Sequence, residues 1–333
     1  MTALLDIRDL VVTFPLAAGD ARVLHHVDLQ VGAGESVGIV GESGCGKSMT
    51  ALAAMGLLPD AAEASGSIRL DGEDILGLGD AVMSRLRGRR VGMIFQEPMT
   101  ALNPVRTIGD QVAEGLRLHL GLSDREALDR AVRMLERVGL PRSRFSPDLY
   151  PHQLSGGQRQ RVVIAIALAC GPDLLIADEP TTALDVTIQS QILDLICEVT
   201  AEEGMALLMI SHDLGVIAET TDRMLVMYAG TVVEEGPTAE VFAHMAHPYT
   251  QGLFAAMPVN ELVGGELIGG GQGRLATIPG QVPDPRCPRT GCPFEPRCPR
   301  ARPRCAAETP PADPFGPGHT VRCFYPGKEE TAA

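Results

Sequence analysis

Residues 41–48 have the sequence Gly-Glu-Ser-Gly-Cys-Gly-Lys-Ser, and this stretch decides the fold. It matches the phosphate-binding loop pattern G-x-x-x-x-G-K-[ST]. A compact apolar strand is predicted just before it at Ser36–Val40, and Met49–Leu58 is predicted to form the helix after it. Glycines in such a loop allow successive N–H groups to converge on phosphate oxygens, and the helix N-terminus adds its dipole. The pattern predicts an α/β nucleotide-binding domain, with a chance glycine-rich turn as the alternative.

The loop also assigns chemistry to single residues. Lys47 is expected to bridge the β- and γ-phosphates, and Ser48 is expected to ligate Mg²⁺. Cys45 stands at the start of a helix, where a thiol is expected to be unusually acidic and therefore open to alkylation that ATP would block. The predicted ATP contacts of this segment are Gly41, Ser43, Gly44, Cys45, Gly46, Lys47, Ser48 and Met49.

A second stretch, Leu174-Leu-Ile-Ala-Asp-Glu-Pro, supplies acidic groups at the end of a buried strand. Ligands of α/β sheets bind at the carboxyl ends of the strands. Asp178 is expected to hold Mg²⁺ through water, and Glu179 to polarise the attacking water. Alone, a strand ending in two acids is often only a solvated turn. Together with the phosphate loop it predicts nucleotide hydrolysis.

The rest of the chain alternates strands and helices. Asp71-Gly72 is typical of a hairpin turn, and Leu225–Glu235 is predicted to form a second hairpin. Ser123 and Glu126 form a capping-box pattern ahead of a helical apolar stripe, which Gly139 and Pro141 end. Strands at Leu174–Ala177 and Ala206–Ile210 flank a helix near 189–199, which predicts a parallel sheet.

The segment Leu154-Ser-Gly-Gly-Gln-Arg-Gln-Arg separates classes of nucleotide hydrolase, because it closely resembles the ABC signature sequence. Ser155, Gly156 and Gly157 would expose a hydroxyl and N–H groups to an anion at a helix N-terminus; an ordinary Ser-capped helix is the alternative. The resemblance implies that Ser155 and Gly157 contact the γ-phosphate of ATP bound by an opposing subunit. It implies a P-loop NTPase core of the ABC ATPase type, α/β in class, with an antiparallel β subdomain, a helical subdomain insertion and a Cys/Pro-rich C-terminal extension.

Further motifs follow in the order of that family. Gln96 matches the Q-loop glutamine, which senses Mg²⁺ and the γ-phosphate, and Asp185 lies in a segment that matches the D-loop at the dimer interface. His212 matches the switch histidine; a lone histidine there would more often be structural. Phe14 is the candidate for the aromatic residue that stacks on adenine, although a core position is the commoner fate of a Phe. The resemblance thus implies Glu179, His212, Lys47 and Gln96 as catalytic residues, and Ser48, Gln96 and Asp178 as Mg²⁺ ligands.

Longer stretches resemble the oligopeptide/dipeptide/nickel importer subfamily, and its first ATPase subunit in particular. They are Gly41 to Pro59, Gln96-Glu-Pro-Met-Thr-Ala-Leu-Asn-Pro, Asp185-Val-Thr-Ile-Gln and His247-Pro-Tyr-Thr. The resemblance implies an ATPase that drives uptake of peptides, with nickel or another small solute as the alternative. It implies a second ATPase subunit as heterodimer partner, two transmembrane permeases and an extracytoplasmic solute-binding protein. A soluble ABC ATPase without a transport role, a metal or redox sensor and an exporter are the rival interpretations.

Five of the eight cysteines crowd the C-terminal tail, where the resemblance extends to the subfamily's cysteine pattern. Some members carry a [4Fe–4S] cluster there, which implies Cys292, Cys298, Cys305 and Cys323 as ligands, with Cys287 as an alternate. Four thiolates would suit such a cluster or a Zn²⁺ ion. The spacing fits neither zinc-ribbon pairs nor the ferredoxin run, so thiols without a metal remain a third possibility.

Composition and charge limit the function further. The 333 residues carry a formal net charge of −14, which argues against a nucleic-acid partner that would require a basic surface. The first residues do not resemble a signal peptide, and apolar runs such as Val162–Cys170 are shorter than the ~20 residues of a membrane span. We expect a peripheral protein at the cytoplasmic face of the cell membrane. The predicted division is a nucleotide-binding domain at 1–257, with a helical subdomain at about 97–158, and a linker, Gly-rich near 264–273, with the extension at 258–333.

Overall fold

The computed structural model describes residues 3–17, 19–96, 101–182, 184–257, 261–263, 266–268, 277–287 and 289–327, with backbone only for 261–263 and 266–268. Chain contacts divide it into two compact units. The first unit contains residues 1–31, 36–76 and 209–333, and the second contains residues 32–35 and 77–208. The first unit is therefore built from both ends of the chain.

The first unit contains two larger groups of strands. The strands are β1 (Leu5–Phe14), β2 (Ala21–Val31), β3 (Ser36–Val40), β4 (Glu63–Leu70), β5 (Glu73–Asp74), β9 (Arg223–Tyr228), β10 (Thr231–Pro237), β11 (Glu261–Val263), β12 (Glu266–Ile268), β13 (Asp313–Gly316) and β14 (His319–Val321). One group is a four-stranded antiparallel sheet in the order β2-β1-β4-β5. The other has the order β13-β14-β10-β9-β3, in which β9 and β3 are parallel.

Several local predictions for this unit are confirmed. β3 covers Ser36–Val40, and four of its five residues are buried, as the run of apolar residues requires. The turn between β4 and β5 uses Asp71 and Gly72 with φ angles of 50° and 82°, the left-handed pair of a type I′ turn. The predicted 225–235 hairpin is β9 with β10. Of the Gly-rich stretch 264–273, the described residues are 266–268, which form β12 opposite β11.

Helices of the first unit are short. They are α1 (Lys47–Ala54), α7 (Leu214–Thr220), α8 (Thr238–His244), α9 (Pro248–Ala255) and α10 (Pro303–Ala307). The helix predicted at 49–58 is α1, which begins two residues earlier and ends four earlier. Single 3₁₀ turns form at Pro151–Gln153 in the second unit and Glu295–Arg297 in the first.

The second unit combines a parallel strand pair with helices. Its strands are β6 (Val91–Ile94) and β7 (Leu174–Asp178), and β8 (Ala206–Ser211) is divided between the two units after Leu208. Its helices are α2 (Asp80–Leu86), α3 (Ile108–Leu120), α4 (Asp124–Arg137), α5 (Gly156–Leu168) and α6 (Val186–Glu203). β6 and β7 pair in parallel, as the predicted parallel sheet requires. α3 and α4 lie within about 97–158, where the helical insertion is predicted, whereas α5 begins only at Gly156.

Side-chain caps set the starts of these helices. Ser123 and Glu126 form the predicted capping box on α4. Thr107 caps α3, and Asp185 caps α6 by accepting a hydrogen bond from the Ile188 N–H at 3.0 Å. Capping satisfies N–H groups that have no partner inside the helix, so the sequence fixes where each helix begins.

Candidate nucleotide-binding site

The phosphate loop joins β3 to α1 in the first unit. Gly41 has a φ of 156°, and a Cβ there would lie 2.2 Å from the Met227 carbonyl oxygen, so no other residue fits. Lys47 opens α1 and is only 4% exposed. Its Nζ donates to the Gly41 carbonyl at 2.8 Å and to the Glu42 carbonyl at 3.2 Å. The loop therefore wraps around its own lysine and holds one positive charge at its centre.

The other predicted contacts of the loop surround this charge. Ser43 and Gly44 are exposed, Gly46 stands at the N-cap of α1 with φ 106°, and Ser48 and Met49 are half-buried in its first turn. A helix N-terminus with exposed loop residues before it attracts anions through its unpaired N–H groups and its dipole. The geometry suits a phosphate group.

Cys45 differs from its prediction. Its side chain is buried in the loop, and burial raises the pKa of the thiol above its usual value, even though the Lys47 ammonium and nearby N–H groups favour the thiolate. The expectation of an unusually acidic thiol is wrong. Desolvation of the charged form outweighs the helix N-terminus, because the thiolate would lie inside the protein.

Phe14 and His212 also belong to the first unit. Phe14 ends β1, is half-buried and pairs with Ala21 of β2. His212 follows β8 and is exposed, and the next residue, Asp213, caps α7 by accepting from the N–H groups of Gly215 and Val216. The cap fixes where the chain turns after β8, and so fixes the position of His212.

In the second unit, Glu179 is the centre of a small hydrogen-bonded group. Its Oε2 accepts from Gln96 Nε2 at 2.9 Å and from the Thr182 hydroxyl at 3.1 Å. Its backbone has a φ of 47°, a strained conformation for a residue with a side chain, and such strain tends to occur at functional sites. Asp178, the last residue of β7, is 4% exposed. The structure therefore brings three predicted residues together: Gln96, Asp178 and Glu179.

The signature segment forms the N-terminus of α5. Ser155 caps the helix, and its hydroxyl and the Gln158 side chain form a capping box. The local structure is therefore that of a Ser-capped helix, which the sequence analysis gave as the alternative. A Cβ at Gly157 would lie 2.8 Å from Ile188 Cγ2, whereas one at Gly156 would make an ordinary contact. The second glycine is needed for close packing against α6.

A surface cavity of about 620 Å³ opens at this helix N-terminus. Ser155, Gly157 and Asp185 line it, as do Arg144 and Arg161. Arg161 is the last residue of the signature-like segment, which assigns it no role, and Arg144 stands in no recognised motif. Arg161 is oriented by its hydrogen bond to the Val138 carbonyl at 2.7 Å. Two guanidinium groups beside a helix N-terminus suit the cavity to an anion.

Four of the five C-terminal cysteines share one cavity, and the fifth does not. Cys292, Cys298, Cys305 and Cys323 line one small cavity of about 10 Å³, room for about one water, whereas Cys287 is exposed and does not line it. Burial raises the pKa of Cys292 to about 11. Within the part of the chain that the structure describes, no group of three or more His, Cys, Asp or Glu side chains is placed to hold a metal ion.

A buried carboxylate anchors this cysteine region. Glu234 of β10 accepts from His319 Nε2 at 2.8 Å and from the N–H groups of Ala246 and His247 at 2.6 and 2.8 Å. Burial raises its pKa, but these donors outweigh burial, and the net shift is downward. His247, from the His-Pro-Tyr-Thr stretch, caps α9 through Nδ1, and burial lowers its pKa to about 4. Through Glu234, the His-Pro-Tyr-Thr stretch at the start of α9 is therefore joined to β10 and to His319 of β14.

Sequence comparison agrees with these motifs. Residues 24–182 match a family model described as ABC transporter, and residues 233–305 match one described as oligopeptide/dipeptide transporter, C-terminal region. The oligopeptide transport ATP-binding protein OppD of Salmonella typhimurium is 47% identical over 327 residues, which are 98% of this chain and 95% of OppD. The chain belongs to the ABC transporter ATP-binding family. As a member, it binds and hydrolyses ATP with Mg²⁺.

Other members extend the comparison. The oligopeptide transport ATP-binding protein AppD of Bacillus subtilis is 45% identical over 326 residues, 97% of each chain. Among solved structures, the dimeric ATP-binding cassette MJ0796 bound to ADP and phosphate has a TM-score of 0.63 at 29% identity. The match covers 70% of this chain and 98% of the cassette. The predicted α/β fold of the ABC type is confirmed. Among the described residues, no helix has both the length and the apolarity to cross a membrane.

Proposed function

We propose that this chain is the ATP-hydrolysing subunit of an ABC importer of peptides. The observation that carries the proposal is similarity along nearly the whole chain to proteins named for oligopeptide transport, together with the family match at residues 233–305. Nickel or another small solute is the alternative cargo. An ATPase subunit drives transport without selecting the cargo, so the choice of peptides is supported by the relatives named for oligopeptide transport and not by a residue of this chain.

The proposed mechanism distributes roles over both units. In the first, Lys47 and the N–H groups of the phosphate loop stabilise charge on the transferred phosphoryl group, Ser48 binds Mg²⁺, His212 contacts the γ-phosphate, and Phe14 stacks on adenine. The position of Lys47 inside the phosphate loop, where its Nζ donates to the Gly41 and Glu42 carbonyls, supports its proposed role in charge stabilisation. In water-poor surroundings, such fixed donors stabilise developing charge without reorganising.

In the second unit, Glu179 orients and polarises the attacking water, and Gln96 and Asp178 contribute to the Mg²⁺ site. The hydrogen bond between Gln96 and Glu179 supports a joint role. Ser155 and Gly157 act on the nucleotide of the opposing subunit, and the cavity with its two arginines supports an anion there. Asp185 stabilises the start of α6 beside it.

The proposed assembly contains a second ATPase subunit, two permeases and an extracytoplasmic solute-binding protein, with this chain on the cytoplasmic face of the membrane. The nucleotide-binding domain comprises residues 1–257, with its helical subdomain at about 97–158, and the extension comprises 258–333. OppD and AppD, named as transport ATP-binding proteins, support this arrangement.

The cysteine pocket is proposed to hold a [4Fe–4S] cluster. Four thiolates would also suit a single Zn²⁺ ion, which is the alternative, as are thiols without a metal. Cys292, Cys298, Cys305 and Cys323 line one cavity and could supply the four thiolates of a cluster, but they would have to move apart to admit it, because the cavity has room for about one water. When bound, such a cluster would cross-link the tail. Anoxic reconstitution should give a brown protein with about 4 Fe per chain; stoichiometric zinc without iron would contradict the proposal.

Mass spectrometry of proteins that co-purify with this chain from gently solubilised native membranes tests the transport function. Two permeases, a second ATPase and a solute-binding protein are expected. The binding protein is then titrated with di- and oligopeptides and with Ni²⁺. Recovery of ribosomes or of no membrane protein would refute the importer, and binding of Ni²⁺ without peptide would refute the proposed cargo.

A further inference from the structure

Arg297, in the tail, reaches back to the phosphate loop. It lies in the 3₁₀ turn Glu295–Arg297, between two pocket cysteines in sequence, and its side chain is 4% exposed. Nη1 and Nη2 donate to the two carboxylate oxygens of Glu42 at 2.6 and 3.0 Å. This is a two-pronged guanidinium–carboxylate pair, the strongest form of charged hydrogen bond in proteins. Glu42 is the second residue of the phosphate loop.

The other donors of Arg297 fix its orientation. Nε donates to the Pro279 carbonyl at 2.9 Å, Nη2 to the Ile278 carbonyl at 3.1 Å, and Nη1 to the Tyr228 hydroxyl at 3.4 Å. A buried guanidinium requires such partners, because an unpaired one would carry a large desolvation cost. These hydrogen bonds hold the Arg297 guanidinium in one orientation, so Arg297 connects the extension to the phosphate loop at a fixed position.

Glu42 is held at its backbone as well. The Tyr249 hydroxyl accepts a hydrogen bond from the Glu42 N–H at 2.8 Å, and the Glu42 carbonyl accepts from Lys47 Nζ at 3.2 Å. Tyr249 packs against Tyr228, with ring centroids 4.6 Å apart, and against Phe294 at 5.4 Å. Phe294 comes from the tail, so the extension contributes both the ionic and the aromatic support of this residue.

Arg297 compensates the negative charge that Glu42 places in the phosphate loop. The loop is built to receive polyphosphate, and an uncompensated carboxylate within it would repel that ligand by Coulomb's law. We propose that Arg297 is a positioning residue for ATP binding: it neutralises Glu42 and holds the loop in its phosphate-receiving conformation. The C-terminal extension then contributes to nucleotide affinity, a role distinct from holding a cluster or contacting a partner.

The test measures binding of a fluorescent ATP analogue with Mg²⁺ to the full chain. Arg297→Met should weaken binding about tenfold, the effect of one unit charge about 10 Å away at an effective dielectric constant of about 20. In steady-state hydrolysis, the same variant should raise KM much more than it lowers kcat. Arg297→Gln is made alongside, because its amide retains donors for the carbonyls if Met does not fold.

Charge removal at the second site separates electrostatics from a merely structural role. Glu42→Gln in the Arg297→Met background should restore the affinity to within about threefold of the parent, because no unpaired carboxylate remains. The loss in the single variant should also shrink as salt is raised. Arg302→Ala, an exposed tail arginine that stacks on Tyr325, is the matched control and should leave affinity unchanged.

Two results would overturn the proposal. Unchanged affinity in folded Arg297→Met or Arg297→Gln would show that the pair has no part in binding. A loss that Glu42→Gln does not restore would show that the arginine acts only through folding. Thermal unfolding of every variant establishes that the proteins compared are folded.

Discussion

Replacing Glu179 with Gln tests the proposed catalytic base with the least disturbance to the structure. The Gln side chain has the same shape, and its amide oxygen can take the place of Oε2, which accepts from Gln96 at 2.9 Å and from Thr182 at 3.1 Å. Both hydrogen bonds survive, so we expect folding and ATP affinity to be nearly unchanged. An amide cannot accept the proton of the attacking water, and loss of a general base costs about 10²–10⁴-fold in rate.

The assay compares single-turnover ATP hydrolysis with equilibrium ATP binding in parent and variant. Turnover should fall at least about 100-fold while the dissociation constant stays within about threefold, and ATP should trap the closed dimer. Glu198→Gln, an exposed carboxylate of α6, is the matched control and should hydrolyse ATP normally. Hydrolysis by Glu179→Gln within about tenfold of the parent would refute the assigned role.

Three further perturbations follow from the same geometry. Gly157→Ala should destabilise the second unit by about 1–3 kcal/mol in urea unfolding, because its Cβ overlaps a neighbouring helix, whereas Gly156→Ala should not; equal effects would contradict the packing argument. Iodoacetamide at neutral pH should modify exposed Cys287 well before buried Cys45, as peptide mass spectrometry would show; the reverse order would contradict the raised pKa. Glu234→Gln should cost about 3 kcal/mol at pH 7, since it removes a buried carboxylate that accepts hydrogen bonds from His319 and from the Ala246 and His247 N–H groups. The lowered pKa means that this stability is present above about pH 4.5 and is lost as pH falls through the folded-state pKa, so the difference between variant and parent should shrink in acid; a constant difference would be contrary evidence.

Local patterns in the sequence predicted local structure well. The apolar run at Ser36–Val40, the Asp71-Gly72 turn and the Ser123 capping box each depend on neighbours a few residues away, and each is confirmed. Gln96 and Glu179 are each assigned by resemblance to a motif, and the structure adds the hydrogen bond between them.

Properties set by distant residues escaped prediction. The acidity expected of Cys45 follows from the helix beside it, but tertiary burial reverses the sign of the shift. Arg161 closes the signature-like segment, but only the folded chain shows that it lines the same cavity as Arg144. The Arg297–Glu42 pair joins residues 255 positions apart, and no periodicity or spacing indicates such a contact.

That same separation has a consequence for how the protein is made. The phosphate loop leaves the ribosome early, but Arg297 is synthesised 255 residues later. At elongation rates of about 5–20 residues per second, the interval is on the order of 10–50 s. During this time the phosphate loop lacks the ion pair between Glu42 and Arg297, and β10 lacks its partner strand β14. If Arg297 acts as proposed, a nascent chain binds ATP about tenfold more weakly until Arg297 has been synthesised and has paired with Glu42.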